Sequence, residues 1–137
     1  MEVAGYEFQG VYTDLDDISS HNVGVYVVLC LVSEHPHCIL YVGTSEGGSR
    51  ADVTSTGNLQ HTLKTHEKRS CWEDETHGKI GYCVKHVADD ERRNDIRDEL
   101  QWKYITPCGV DPWDAPQTGD QWDDKVEKYG PRGSASI

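Results

Sequence analysis

Apolar and β-branched residues fall into three short stretches that predict strands. Val23–Val32 is an almost unbroken apolar run, and Cys38–Gly43 follows it after a turn that contains Pro36. Lys79–Val87 alternates apolar residues with small or polar ones, which is the two-residue period of a strand. The first two stretches therefore predict a β-hairpin, and the third predicts another strand. With a symmetric loop, Tyr26 and Tyr41 would lie directly opposite each other on one face of the hairpin.

Two further segments predict helices. Leucines at helical spacing predict a short helix over Asn58–Arg69. Asp89 and Asp90 offer N-cap oxygens for a second helix that runs to about Tyr104, before a proline stops it. The order β-β-α-β-α predicts an α+β domain with a small antiparallel three-stranded sheet flanked by helices.

Composition divides the 137 residues into three parts. We expect residues 1–22 to be an irregular lead-in and residues 23–110 to form one domain. Residues 111–137 are an acidic tail rich in Pro and Gly, whose last residues we expect to be disordered. Trp113 and Trp122 predict that the first part of this tail packs onto the domain, because tryptophan rarely stays in solvent.

The charge of the chain restricts the classes of function that fit. The formal net charge is −11, which argues against a nucleic-acid binder of the ordinary basic kind. One local exception is the segment HTLKTHEKRSCW, residues 61–72. Its basic side chains Lys64, Lys68 and Arg69 are candidates for contacts to an anionic substrate.

The expected environment is the cytoplasm. We see no signal-peptide pattern, and the longest apolar run has only ten residues, too few to span a bilayer. Five cysteines, an odd number without a secretory mark, predict reduced thiols rather than a disulfide framework. The sequence predicts no membrane partner.

The hairpin resembles a known signature. Gly24-Val25-Tyr26 and Tyr41-Val42-Gly43, followed by a helix, a strand and a helix that contains Glu99, resemble the GIY-YIG nuclease superfamily. The resemblance covers roughly residues 20–111 and is closest to small, stand-alone members of that superfamily. It implies an endonuclease-like phosphodiester hydrolase that acts on DNA or RNA.

The resemblance also implies roles for particular residues. Tyr26 and Tyr41 correspond to the tyrosines that assist the attack of water, and His66 takes the histidine position on the first helix. Glu99 corresponds to the glutamate that holds one divalent metal ion, Mg²⁺ or Mn²⁺. The metal would stabilise the leaving oxygen and the charge that develops on the phosphate.

Two family positions differ in this chain. The arginine position of the first helix is Thr62, and Arg50, seven residues after Gly43, is the alternative source of that guanidinium. The family asparagine falls at Asp111 or Val110, and only the aspartate can replace it chemically. These departures favour an alternative function, a binding or regulatory module that keeps the scaffold but is catalytically weakened or inactive.

A zinc site is the competing chemical interpretation. Its candidate ligands are spread along the second half of the domain, and Cys83 and His86 alone have a short ligand spacing. The sequence contains no second tight pair of ligands, and it leaves the oligomeric state open. The full candidate set is His61, His66, Cys71, His77, Cys83 and His86.

Overall fold

A computed structural model describes residues 1–45, 58–109 and 119–133, with the side chains of residues 119–121 excepted. Its order of elements confirms an α+β domain. The strands are β1 (Glu2–Val3), β2 (Tyr6–Glu7), β3 (Gln9–Tyr12), β4 (Gly24–Val32), β5 (His35–Thr44) and β6 (Lys79–His86). The α-helices are α1 (Leu59–Lys64), α2 (Arg69–Glu75), α3 (Asp90–Lys103) and α4 (Gly119–Tyr129), and a 3-10 helix spans Leu15–Asp17.

The main sheet has four antiparallel strands in the order β3-β6-β4-β5. The prediction of a three-stranded sheet was therefore wrong by one strand. The fourth strand, β3, comes from the lead-in, where β1 and β2 also form a small sheet of their own. These strands have two to four residues each, too short for their alternation to be recognised in the sequence. Parts of the lead-in thus form short strands and a 3-10 helix.

The β4–β5 hairpin is present, but its predicted register was wrong. Tyr26 lies opposite Gly43, and Tyr41 lies opposite Val28. The turn is tighter than expected, because Ser33 and Glu34 both have positive φ, as a two-residue hairpin loop of the type I′ class requires. Two irregularities in the strand pairing then shift the register between the turn and the tyrosines.

The two faces of the sheet carry different helices. Valines of β4 that point to one face pack with Ile96 and Leu100 of α3. Tyr26 and Val28 point to the other face and pack with α1 and α2, including Trp72. The sheet thus separates the helix that carries Glu99 from the two helices beside the tyrosines.

Two predicted features after the hairpin need correction. The helix expected over Asn58–Arg69 ends at Lys64, and α2 begins separately at Arg69. Cys71 and Cys108 form a disulfide, so the prediction of reduced thiols was wrong for this pair. Their separation of 37 residues offers no spacing signal in the sequence.

The described part of the tail packs against the domain. Trp122 of α4 contacts the ring of Trp102, with centroids 4.8 Å apart, as predicted for this tryptophan. Trp113 lies outside the described residues. No helix in the described ranges combines the length and apolar character needed to cross a membrane.

Candidate functional site

The two tyrosines of the hairpin stack on each other. The ring centroids of Tyr26 and Tyr41 are 6.1 Å apart, and the planes differ by 15°. Their register offset makes them diagonal neighbours on one face of the sheet rather than direct partners. Tyr26 is buried, whereas Tyr41 on the edge strand is partly exposed.

Gly43 provides the space for this stack. A Cβ atom on Gly43 would lie 2.5 Å from the hydroxyl oxygen of Tyr26 and 2.9 Å from Cε1 of Tyr41. Gly24 has a different reason to be glycine, because a Cβ there would collide with the carbonyl oxygen of Lys85 on β6. The two glycines of the signature thus serve different purposes, one for side-chain stacking and one for close strand approach.

His66 and Trp72 complete an aromatic cluster around Tyr41. The His66 ring lies edge-on to Tyr41 at a centroid distance of 4.7 Å and lies 5.9 Å from Tyr26. Trp72 of α2 packs 4.8 Å from His66 and 5.9 Å from Tyr41. We call these four residues, Tyr26, Tyr41, His66 and Trp72, the aromatic cluster.

The protonation of His66 follows from its surroundings. Its Nδ1 accepts the backbone N–H of Lys68 at 3.0 Å, so the neutral ring carries its proton on Nε2. Burial lowers the pKa of His66, and the nearby charge of Lys68 acts in the same direction, against the opposing effect of Glu67. At neutral pH the ring is therefore an uncharged hydrogen-bond donor.

Tyr41 is likewise a neutral donor rather than a base. Burial raises the pKa of its hydroxyl, and the negative charge of Glu67 raises the pKa further. Arg97 of α3 acts in the opposite direction and lowers the pKa of Tyr41. The phenol stays protonated at neutral pH and can donate a hydrogen bond to an anionic oxygen.

Glu99 is not placed at the aromatic cluster. Its Oε1 accepts a hydrogen bond from the Tyr6 hydroxyl at 2.6 Å, and its Oε2 pairs with Lys103 Nζ at 2.6 Å. Both contacts lie on the α3 side of the sheet, where Glu99, Tyr6 and Tyr129 line a cleft of about 410 Å³. Both carboxylate oxygens of Glu99 thus have partners on the α3 side of the sheet.

The other predicted site residues lie on α1, at the start of α2, or outside the described residues. Lys64 forms an ion pair with Asp16. Arg69 donates from Nη1 to the backbone carbonyl of Lys64 at 2.7 Å, and Lys68 adjoins His66 through its backbone. Thr62 lies on α1, as predicted for the arginine position. Arg50, Val110 and Asp111 lie outside the described residues.

The zinc interpretation finds no support in the described part of the chain. It contains no group of three His, Cys, Asp or Glu side chains arranged to hold a metal ion. Cys71 is in the disulfide, and Nδ1 of His86 lies 2.9 Å from the carbonyl oxygen of Val23. The candidate ligands are therefore engaged elsewhere or scattered.

Sequence reasoning missed several residues of this site. Trp72 stood in the basic segment, but its position beside the histidine depended on the break between α1 and α2. The sequence gives no signal that the charge of Arg97 acts on Tyr41. The helical period places Arg97 and Gln101 on the flank of α3 opposite Glu99, and Gln101 Nε2 donates to the Val42 carbonyl on β5 at 3.1 Å.

Comparisons with protein-family models, curated proteins and solved structures gave no match to this chain. The likeness to the GIY-YIG superfamily therefore rests on the two tripeptides and the order of elements alone.

Proposed function

We propose that this chain is a GIY-YIG-like module that binds a phosphate group of a nucleic acid at the aromatic cluster, with cleavage weakened or lost. The proposal joins the family resemblance of the hairpin to the chemistry of the groups around Tyr41. It assigns a binding role to Tyr41 and His66 and no metal-dependent step to Glu99.

The observation that carries this proposal is the position of Glu99. Both of its carboxylate oxygens have partners, Tyr6 and Lys103, on the face of the sheet opposite the tyrosines. These contacts support a structural role for Glu99 rather than the binding of a metal ion at the Tyr26–Tyr41 pair. The resemblance therefore supports a scaffold more strongly than it supports hydrolysis.

The groups at the cluster suit a phosphate oxygen. The Tyr41 hydroxyl and the Nε2–H of His66 are neutral donors. Lys68 follows His66 by two residues, and the charge of Arg97 acts on the Tyr41 hydroxyl. Partly exposed aromatic rings also offer faces on which a base of a single strand can stack. Because the whole chain is acidic, we expect binding to be weak and to depend on this local site or on a basic protein partner.

A binding measurement tests the proposal directly. We would measure the fluorescence anisotropy of labelled single-stranded DNA, duplex DNA and a structured RNA at low ionic strength. Tyr41→Phe removes one donor to a charged oxygen and should weaken binding by about tenfold or more. Tyr6→Phe removes a phenolic hydroxyl on the other face of the sheet and should leave affinity unchanged. Absence of binding by folded wild-type protein to all three ligands would refute the proposal.

Metal-dependent endonuclease activity is the second candidate function. The stacked tyrosines, with His66 against them, favour it, because the resemblance assigns these residues to the attack of water. It requires Glu99 to exchange Tyr6 and Lys103 for a divalent metal ion. Nicking of supercoiled plasmid with Mg²⁺ or Mn²⁺, compared between wild type and Glu99→Gln, separates the two candidates. Cleavage lost in the variant would establish the nuclease, whereas equal cleavage by both proteins would indicate a contaminating enzyme.

A further inference from the structure

The disulfide between Cys71 and Cys108 lies next to the aromatic cluster. It joins α2 to the segment that follows α3, and Trp72, the residue after Cys71, packs on His66 and Tyr41. Whatever holds Cys71 in place therefore also holds one wall of the cluster.

Among the described residues, the main attachments of α2 are the buried ring of Trp72 and the disulfide. The helix has seven residues, its N-cap Lys68 makes no side-chain capping bond, and Trp72 is its single buried residue. Such a short helix is marginal without tertiary contacts. Trp72 is held by packing against Tyr41, His66 and Tyr82, and its buried Nε1 has no hydrogen-bond partner among the described residues. The disulfide is consequently a main attachment of α2.

The other end of the disulfide is firmly fixed to the sheet. Cys108 is buried, and its backbone N–H donates to the Leu40 carbonyl at 3.2 Å. Leu40 directly precedes Tyr41 on β5. The covalent link thus runs from the strand that carries Tyr41, through Cys108 and Cys71, to the helix that carries Trp72.

We propose that the Cys71–Cys108 disulfide is a redox-sensitive clamp on the aromatic cluster, which is closed when oxidised and loosened when reduced. Its effect on ligand affinity rests on the proposed function, whereas its effect on α2 does not. Closed, the clamp presets Trp72 against His66 and Tyr41, and a preset site binds more tightly than one that must be ordered on binding.

The chemistry is thiol–disulfide exchange with a small dithiol. Cys71 is the partly exposed member, so one thiolate of the reductant attacks its sulfur. The sulfur–sulfur bond breaks, a mixed disulfide forms on Cys71, and Cys108 leaves as a thiolate that takes up a proton. The second thiolate of the reductant then attacks the reductant's other sulfur, which is bonded to Cys71 in the mixed disulfide. Cys71 leaves as a thiolate and takes up a proton. The protein gains two electrons and two protons, and the dithiol becomes a cyclic disulfide.

The experiment compares oxidised and dithiothreitol-reduced full-length protein, with alkylation to confirm that two thiols appear. Amide hydrogen exchange should accelerate in α2 by at least about tenfold, while β4 and β6 stay protected. The NMR titration of His66 should move up toward its ordinary pKa of 6.5 as Trp72 withdraws. Affinity for single-stranded oligodeoxythymidine should fall by about fivefold or more, in the range of ordinary coupling between sites.

Two variants make the comparison specific. Cys71→Ser with Cys108→Ser should match the reduced protein and no longer respond to dithiothreitol. Cys38→Ser removes a free thiol of β5, keeps the disulfide and should behave as wild type.

The outcomes separate the two proposals. Unchanged exchange in α2 and an unchanged His66 titration after confirmed reduction would overturn the clamp, and so would uniform unfolding of the whole sheet. If α2 loosens but neither redox form binds the oligonucleotide, the clamp stands and the proposed function fails.

Discussion

The absence of a side chain at Gly43 determines how the Tyr26 and Tyr41 rings meet. The Tyr26 hydroxyl lies where a Cβ atom of any other residue would project. Its position explains why the strand ends in Tyr-Val-Gly rather than in another valine. Gly43 pairs with Tyr26 through its backbone but has no side chain, so its effect on the two rings comes from the space at this position.

We expect Gly43→Ala to destabilise the protein by about 1–3 kcal/mol, the usual range for overpacking in a tight site. The added methyl group would push the Tyr26 and Tyr41 rings apart. Denaturant unfolding measures the loss. Tyr26→Phe in the same chain removes the nearest atom and should restore part of the stability, so identical losses in the single and double variants would contradict this explanation.

His66 gives a pH dependence whose sign can be worked out. Burial lowers its pKa in the folded state below the ordinary value of 6.5. As pH falls through 6.5 the unfolded chain takes up the proton first, so the free energy of unfolding decreases. We expect His66→Gln to flatten this part of the stability profile between about pH 7.5 and 5, and exposed His21→Gln to leave it unchanged. Equal slopes in wild type and His66→Gln would disprove the assignment.

Substitutions of Arg97 and Arg92 test whether these two arginines lie on opposite flanks of α3, each near a different tyrosine. Arg97 lowers the pKa of Tyr41, and Arg92 lowers the pKa of Tyr6. Arg97→Gln should therefore raise the pKa of Tyr41 without a like effect on Tyr6, and Arg92→Gln should do the reverse. Titration of the tyrosine ring signals by NMR follows both groups. A shift at Tyr6 from Arg97→Gln would show that the flanks are wrongly assigned.

At the scale of elements, α3 shows which features could be predicted from the sequence and which could not. Its caps, length and buried stripe were predictable, because Asp89, Ile96 and Leu100 stand at the right spacing. The face of the sheet that α3 covers was not predictable. Helical periodicity shows which side of the helix is apolar, but it does not show which face of the sheet that side packs against. The contacts of Glu99 with Tyr6 and Lys103 were therefore not predictable from its place on the helix.

The register of the β4–β5 hairpin was also not predictable from the sequence. Its two strands follow from β-branched composition, but its register depends on a two-residue turn at Ser33 and Glu34 and on two irregularities in strand pairing. A single shift in pairing changes which residues face each other. The tyrosines nevertheless share a face of the sheet. Tyr41 lies opposite Val28, and Val28 is two positions from Tyr26 on β4, so all three side chains point the same way.

Glu99 contributes to the docking of the N-terminal strands onto α3 through its hydrogen bond with Tyr6. Burial and the hydrogen bond to Glu99 raise the pKa of Tyr6 to about 12. Glu99→Gln removes the negative charge, so we expect the pKa of Tyr6 to fall toward 10 and stability to drop by about 1–2 kcal/mol. Ultraviolet titration and denaturant unfolding measure the two effects. Glu91→Gln, in the first turn of the same helix, is the control for the titration and should leave the pKa of Tyr6 unchanged.

At the scale of the whole molecule, charge is the dominant feature. A net charge of −11 on 137 residues repels itself, and dissolved salt screens such repulsion over distances of about 10 Å at 0.1 M. We expect the melting temperature to rise by a few degrees, equivalent to about 1 kcal/mol, between low salt and 0.2 M sodium chloride. Potassium chloride should give the same rise, and a decrease in both salts would mean that attractive ion pairs outweigh the repulsion.

The edge strand β5 limits how these molecules can associate. A free sheet edge is a template on which another chain can add a strand. On β5, however, Pro36 has no N–H to donate near the turn, and the Val42 carbonyl already accepts from Gln101. An incoming strand would find hydrogen-bonding groups withdrawn at both ends of this edge. These features hinder the addition of a strand at β5, while the neighbouring Tyr41 stays partly exposed.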